Sequence, residues 1–195
     1  VTAIIVIALI AIGVIVVLSV YNKLVASRNL YKNAFAQIDV QLKRRYDLIP
    51  NLVETAKGYL SHEKTTLESV IAARNSAASA ANVAARNPGD GSAIKALNEA
   101  EGALGGALSK LMLTVEAYPD LKGNTLIMEV SEELSVTENR ISAARAFFND
   151  QVTAYNTARE VFPAVLFANA FGFTEASLFE INNTAEREVP KVSFS

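Results

Sequence analysis

The first twenty residues, VTAIIVIALIAIGVIVVLSV, carry no charge, and their only polar side chains are the hydroxyls of Thr2 and Ser19. At about 1.5 Å per residue, a helix of this length spans about 30 Å, the thickness of a bilayer's hydrocarbon core. A lone segment in lipid satisfies its backbone polar groups only as a helix. The run therefore predicts one membrane-spanning helix over residues 1–21, with the rest of the chain tethered at a membrane surface.

The flanks of this run bear on processing and topology. The chain begins on Val1 rather than Met, so further residues are expected ahead of it. The apolar run is full length and leads without a break into Tyr21-Asn22-Lys23, which favours a retained anchor over a cleaved signal peptide. Lys23, Arg28 and Lys32 precede the first acid, Asp39. By the positive-inside rule this favours a cytoplasmic domain, but a basic segment ahead of Val1 would reverse the assignment, so the side remains open. The expected location is the cell membrane, crossed once.

After the run, about 175 residues remain, enough for one domain with a sizeable core. The net charge of −2 gives no sign of a nucleic-acid partner. The absence of cysteine excludes disulfides, thiolate metal sites and a cysteine nucleophile.

From Tyr21 onward there is no alternating strand pattern, and apolar residues recur at spacings of three and four. The first stripe is Leu24, Tyr31, Phe35, Ile38 and Leu42. Asp47 is a good N-cap and Pro50 is tolerated in a first turn, so a break is expected here, with a second helix from about residue 48 to 86. The alternative is one long helix kinked at Pro50, because Leu42, Tyr46, Ile49, Val53, Ala56 and Leu60 stay in phase through the proline. Asn87-Pro88-Gly89-Asp90-Gly91 marks a turn, and Ser92 or Asp90 can cap a third helix. Its core face is Ile94, Leu97, Leu104, Leu108, Leu111 and Val115. Gly102, Gly105 and Gly106 lie within it, and each costs roughly 1 kcal/mol relative to alanine, which predicts a tight helix crossing. A second turn over residues 118–124 leads to a fourth helix over 125–161, disrupted by Pro163.

These elements predict an all-α fold: an N-terminal transmembrane helix followed by an antiparallel four-helix bundle over 22–162, then an apolar aromatic segment and tail over 163–195. In that topology the last helix returns toward the bilayer. The uncharged stretch 162–173, with Phe162, Phe167, Phe171 and Phe173, is then expected near the membrane, either capping the bundle or contacting lipid or another subunit. The expected contact set is Val1, Ile5, Leu9, Ile12 and Val16 on the first helix, with Phe162, Leu166, Phe167, Phe171 and Phe173.

Candidate chemistry is sparse. His62-Glu63 is the one histidine-centred feature, and a single histidine cannot complete a metal ligand set or support a serine triad. The reading assigns no catalytic residue, cofactor or metal. Lys43-Arg44-Arg45 beside Asp47 fits either a basic patch or structural pairing with carboxylates on neighbouring helices; the second is preferred, with Arg44, Arg45, Asp47, Arg140 and Arg145 as the ion-pairing set. Asn182-Asn183-Thr184 matches a glycosylation acceptor, a short pattern that is weak by itself.

Several stretches together resemble the LemA family of bacterial membrane proteins. They are the apolar helix leading into Tyr21-Asn22, the run Gln41-Leu42-Lys43-Arg44-Arg45-Tyr46-Asp47-Leu48-Ile49-Pro50-Asn51-Leu52-Val53-Glu54, and Lys57-Gly58-Tyr59-Leu60-Ser61-His62-Glu63. Ala72-Ala73-Arg74, Tyr118-Pro119-Asp120-Leu121-Lys122, Glu138-Asn139-Arg140-Ile141, residues Ala144, Arg145, Phe147, Asn149, Tyr155 and Asn156, Phe162-Pro163 and Phe171-Gly172-Phe173 fit as well. The resemblance implies a four-helix bundle on one membrane anchor, no established enzyme activity, and a link to envelope or membrane organisation. The expected function is a non-enzymatic, membrane-anchored scaffold acting by self-association and by membrane or partner contact. Its partners would be membrane lipid, further copies of itself and an unidentified protein, with no nucleic acid. A filament subunit packed through its N-terminal helix, or a membrane-tethered sensor or adaptor, are the alternatives. Against the filament, Ile5 stands where a pilin helix usually carries glutamate.

Overall fold

A computed structural model describes residues 1–60 and 63–179. The described chain is helical, and it forms no strand. Helix α1 spans Thr2–Lys57, α2 Lys64–Arg86, α3 Gly91–Ala117, α4 Pro119–Lys122 and α5 Thr125–Glu160. A 3-10 turn, Ala164–Leu166, follows. The first third of α1 is the apolar run, exposed except near its end, where Val20 packs against the core. The remainder is the central helix of an antiparallel bundle. It packs against α5 on one side and α2 on the other, and α3 packs on α2.

The expected break at Pro50 does not occur, and Asp47 caps nothing. A proline inside a helix lacks the N–H that would bond the carbonyl four residues back, a defect of about 3 kcal/mol or more. The carbonyl left without a partner is that of Tyr46. Arg74 on α2 supplies the missing bond, its Nε donating to the Tyr46 oxygen at 3.0 Å, while its guanidinium lies 3.9 Å from Asp47. The helix can therefore run through Pro50 and keep Tyr46, Ile49, Leu52, Val53 and Ala56 in one buried stripe. The alternative of one long helix is the one observed: α1 continues to Lys57, and α2 begins at Lys64.

The other ends follow local chemistry. Asp90 caps α3 by accepting from the Ala93 N–H at 2.8 Å. Asn124 caps α5, accepting from Leu126 and Ile127 at 3.0 and 3.3 Å. The α2 stripe of Leu67, Val70, Ala77, Ala81 and Ala84 is mostly alanine, so α1 and α3 can approach it closely.

A second correction concerns the α3 glycines. A Cβ added at Gly102, Gly105 or Gly106 would meet nothing within 4 Å, so no helix crosses there. Gly102 and Gly105 instead line an open groove between α3 and α5. The glycines that do need close approach are in the α2–α3 turn. A Cβ on Gly89 would come within 2.8 Å of the Tyr31 hydroxyl, and one on Gly91 within 2.6 Å of Ser177 Oγ.

Ser177 belongs to an extended segment, 173–179, that runs back along α5. Asn156 holds it by donating to the Ala176 carbonyl (2.8 Å) and accepting from the Ala176 N–H (3.0 Å). Asn149 repeats the arrangement on Phe179, at 2.9 and 2.7 Å. The two registers match because seven residues of helix advance about 10.5 Å and three residues of a polyproline-like chain, buried at every third position, about 9 Å. Phe173, Ala176 and Phe179 turn inward, and Phe179 meets Phe148 edge-on within the core.

Candidate functional site

Two features stand out: a charged cluster at the floor of the α3–α5 groove, and an apolar surface at the end of the bundle nearest the apolar run.

The cluster joins three helices. Arg45 of α1 is almost wholly buried and forms ion pairs with Glu101 of α3 and Glu138 of α5. Glu101 is equally buried; Tyr46 donates its hydroxyl to Oε1 at 2.5 Å, and Arg145 of α5 lies 3.4 Å from Oε2. Arg145 also stacks over the Phe179 ring, 4.7 Å from its centroid. A charge taken out of water is tolerated only when paired and hydrogen-bonded, and Glu101 meets both conditions. Above the cluster the groove has a volume of about 860 Å³, with Asn98, Gly102, Gly105, Ser142 and Asn149 along its walls.

Burial pushes the Tyr46 phenol up to about 12, against the smaller opposing pull of Arg45 and Arg145. The sign follows from linkage. The unfolded phenol loses its proton near pH 10, whereas the folded one keeps it to about 12, so the stability this group contributes is complete below pH 10 and is lost as pH rises through 12. Tyr46→Phe removes a hydrogen bond to a buried carboxylate and is expected to cost about 1–3 kcal/mol in urea unfolding at neutral pH. It should also lose less stability than the wild type between pH 10 and 12.

The other sequence-derived ion-pair residues are spread out. Arg44 pairs with Glu133 of α5 on a partly exposed face, and Asp47 faces Arg74. Arg140 is exposed and enters no ion pair among the described residues. Glu101, the hub of the cluster, was absent from the sequence-derived set. Its signal was present: Ile94, Leu97, Glu101, Leu104, Leu108, Leu111 and Val115 follow strict three-four spacing, so the glutamate occupies a core position.

The apolar end is built around Tyr21, where the apolar run stops. Its ring lies 5.5 Å from those of both Phe171 and Phe173, at edge-to-face angles. Val1, Ile5, Leu9, Ile12 and Val16 are all exposed along α1, as are Phe162, Leu166 and Phe171, and Phe167 stacks on Phe171. Phe173 corrects the expected contact set. It is buried beneath the Arg28 guanidinium, and its carbonyl accepts from Arg159 Nε at 2.9 Å, so it anchors the segment instead of facing outward. His62 and Asn182-Asn183-Thr184 lie outside the described residues. Among the described residues, no group of three or more His, Cys, Asp or Glu is placed to hold a metal ion.

Residues 34–194 match the model of the LemA family. Magnetosome protein MamQ of Magnetospirillum gryphiswaldense is 30% identical over 177 residues, covering 82% of this chain and 64% of that protein. Protein LemA of Metamycoplasma hominis is 26% identical over 168 residues, covering 86% and 72%. Magnetosome protein MamQ 2 of Paramagnetospirillum magneticum is 33% identical over 92 residues, covering 47% and 34%. The chain thus spans less than two thirds of the length of the MamQ relatives. With the family model matched across most of its length and its fold an all-α bundle led by a long apolar helix, the chain belongs to the LemA family.

Proposed function

We propose that this chain is a non-enzymatic scaffold, anchored in the cell membrane by a single pass of α1, whose copies associate side by side. The carrying observation is that the apolar run, with Val1, Ile5, Leu9, Ile12 and Val16 along one face, is exposed on every side of a helix that continues without a break into the bundle core. Helices in lipid associate by side-chain packing along such stripes, since lipid supplies no hydrophobic drive. Because α1 is continuous, a pairing set in the bilayer fixes how neighbouring bundles stand. Membership of a family that includes magnetosome proteins fits a membrane-associated role.

The chain has no cysteine, so single-cysteine variants report without background. Oxidative cross-linking in membranes is expected at Ile5→Cys, Leu9→Cys, Ile12→Cys and Val16→Cys, and weakly at Ile7→Cys, Ile10→Cys and Val14→Cys on the opposite face. Uniform cross-linking, or none, would sink the proposal of specific self-association. A membrane-tethered adaptor is the second reading, favoured by the groove, whose walls of mixed polar and apolar side chains could receive a segment of another protein.

A further inference from the structure

The stretch between Glu160 and Glu175 contains no charge. It exposes Phe162, Val165, Leu166 and Phe171, with Phe162 at 80% exposure. Large aromatic and aliphatic side chains left open to water in one turn mark a contact surface.

Its position identifies the contact. The Phe171 and Phe173 rings flank Tyr21, which closes the apolar run of α1, so this turn stands at the height where α1 leaves the bilayer. The turn is also fixed there. Phe173 is gripped by Arg28 and Arg159, Tyr155 donates its hydroxyl to the Thr174 carbonyl at 2.9 Å, and Asn156 holds Ala176. Lys23, two residues past Tyr21, is exposed at the same level, suited to anionic headgroups.

We infer that residues 162–171 form an interfacial membrane-docking element whose occupant is the lipid surface. The inference rests on the single-pass reading of α1. Aromatic side chains favour the headgroup–acyl boundary, where an apolar face beds while polar backbone stays hydrated. The continuity of this surface with the spanning helix points to lipid in preference to a second copy. Its effect is on tilt. A lone spanning helix leaves the bundle free to lean against the membrane plane, and a second, off-axis contact limits that tilt. The α3–α5 groove is then held at a fixed inclination to the lipid surface.

The chain has no tryptophan, so single-tryptophan variants of the full chain report cleanly in phosphatidylcholine vesicles whose acyl chains carry bromine as quencher. Four positions suffice: Ile10→Trp within the span, Phe162→Trp and Leu166→Trp on the docking turn, and Leu113→Trp, exposed near the far end of α3. Phe162→Trp should be quenched several-fold more than Leu113→Trp, with blue-shifted emission, and Leu166→Trp should behave alike. If Ile10→Trp is quenched while Phe162→Trp and Leu166→Trp match Leu113→Trp, docking is wrong and the anchor stands. Blue-shifted but unquenched emission from Phe162→Trp would place a second copy on the turn, and would overturn the inference. If Ile10→Trp itself escapes quenching, the single-pass reading fails and the docking inference with it.

Discussion

Arg45→Met is expected to cost about 3–5 kcal/mol of unfolding free energy, measured by urea titration of the detergent-solubilised full chain. The arginine is the shared partner of Glu101 and Glu138, and its loss leaves Glu101 buried with its charge only partly met. Arg145, 3.4 Å from Glu101, remains as a second cation and should hold the loss toward the lower end of the range. A domain of this size has about 5–15 kcal/mol in total, so such a loss is a large share of it. The double change Arg45→Met with Glu101→Leu should recover part of the loss, since a buried ion pair can be replaced by packed apolar side chains at little cost. A cost under about 1 kcal/mol for Arg45→Met would match an exposed pair and contradict the buried geometry.

The second large effect concerns the segment laid along α5. Asn149→Ala together with Asn156→Ala removes four hydrogen bonds between side-chain amides and backbone. At about 1 kcal/mol net for each, docking of residues 173–179 should weaken by about 4 kcal/mol. The change should be local. The segment lies on the bundle without being threaded through it, so amide exchange at Ala176 and Phe179 should accelerate toward free-peptide rates. Amides in the centres of α1 and α2 should keep their protection. Loss of protection throughout the bundle would mean that the segment is an integral layer of the core.

Both effects depend on residues whose roles differed in legibility. The apolar run could be read directly, because twenty uncharged residues admit few structures. The Asp90 cap and the three-four stripes were legible for the same reason: they are local rules about adjacent residues. Pro50 was misread because the remedy lies elsewhere. Nothing near Tyr46 reveals that Arg74, on another helix, will bond the carbonyl the proline leaves free. The α3 glycines were misread because an open groove and a close crossing leave the same mark in the sequence. Glu101 was missed although its core phase was in view, because a carboxylate there makes sense only once Arg45 and Tyr46 are known to face it. The heptad spacing of Asn149 and Asn156 was equally visible, and it gains meaning only beside an extended chain with matching rise.

The proposed scaffold and the inferred docking turn share one dependence: both require α1 to sit in a bilayer. Alkaline-carbonate washing of membranes from cells expressing the full chain tests this most directly. The protein is expected to stay with the lipid pellet and to leave it only in detergent. Leu9→Arg with Ile12→Arg places two charges in the middle of the span, each costing about 2.5–3.5 kcal/mol, and should move the protein to the supernatant. An unaltered chain released by the carbonate wash would contradict the account.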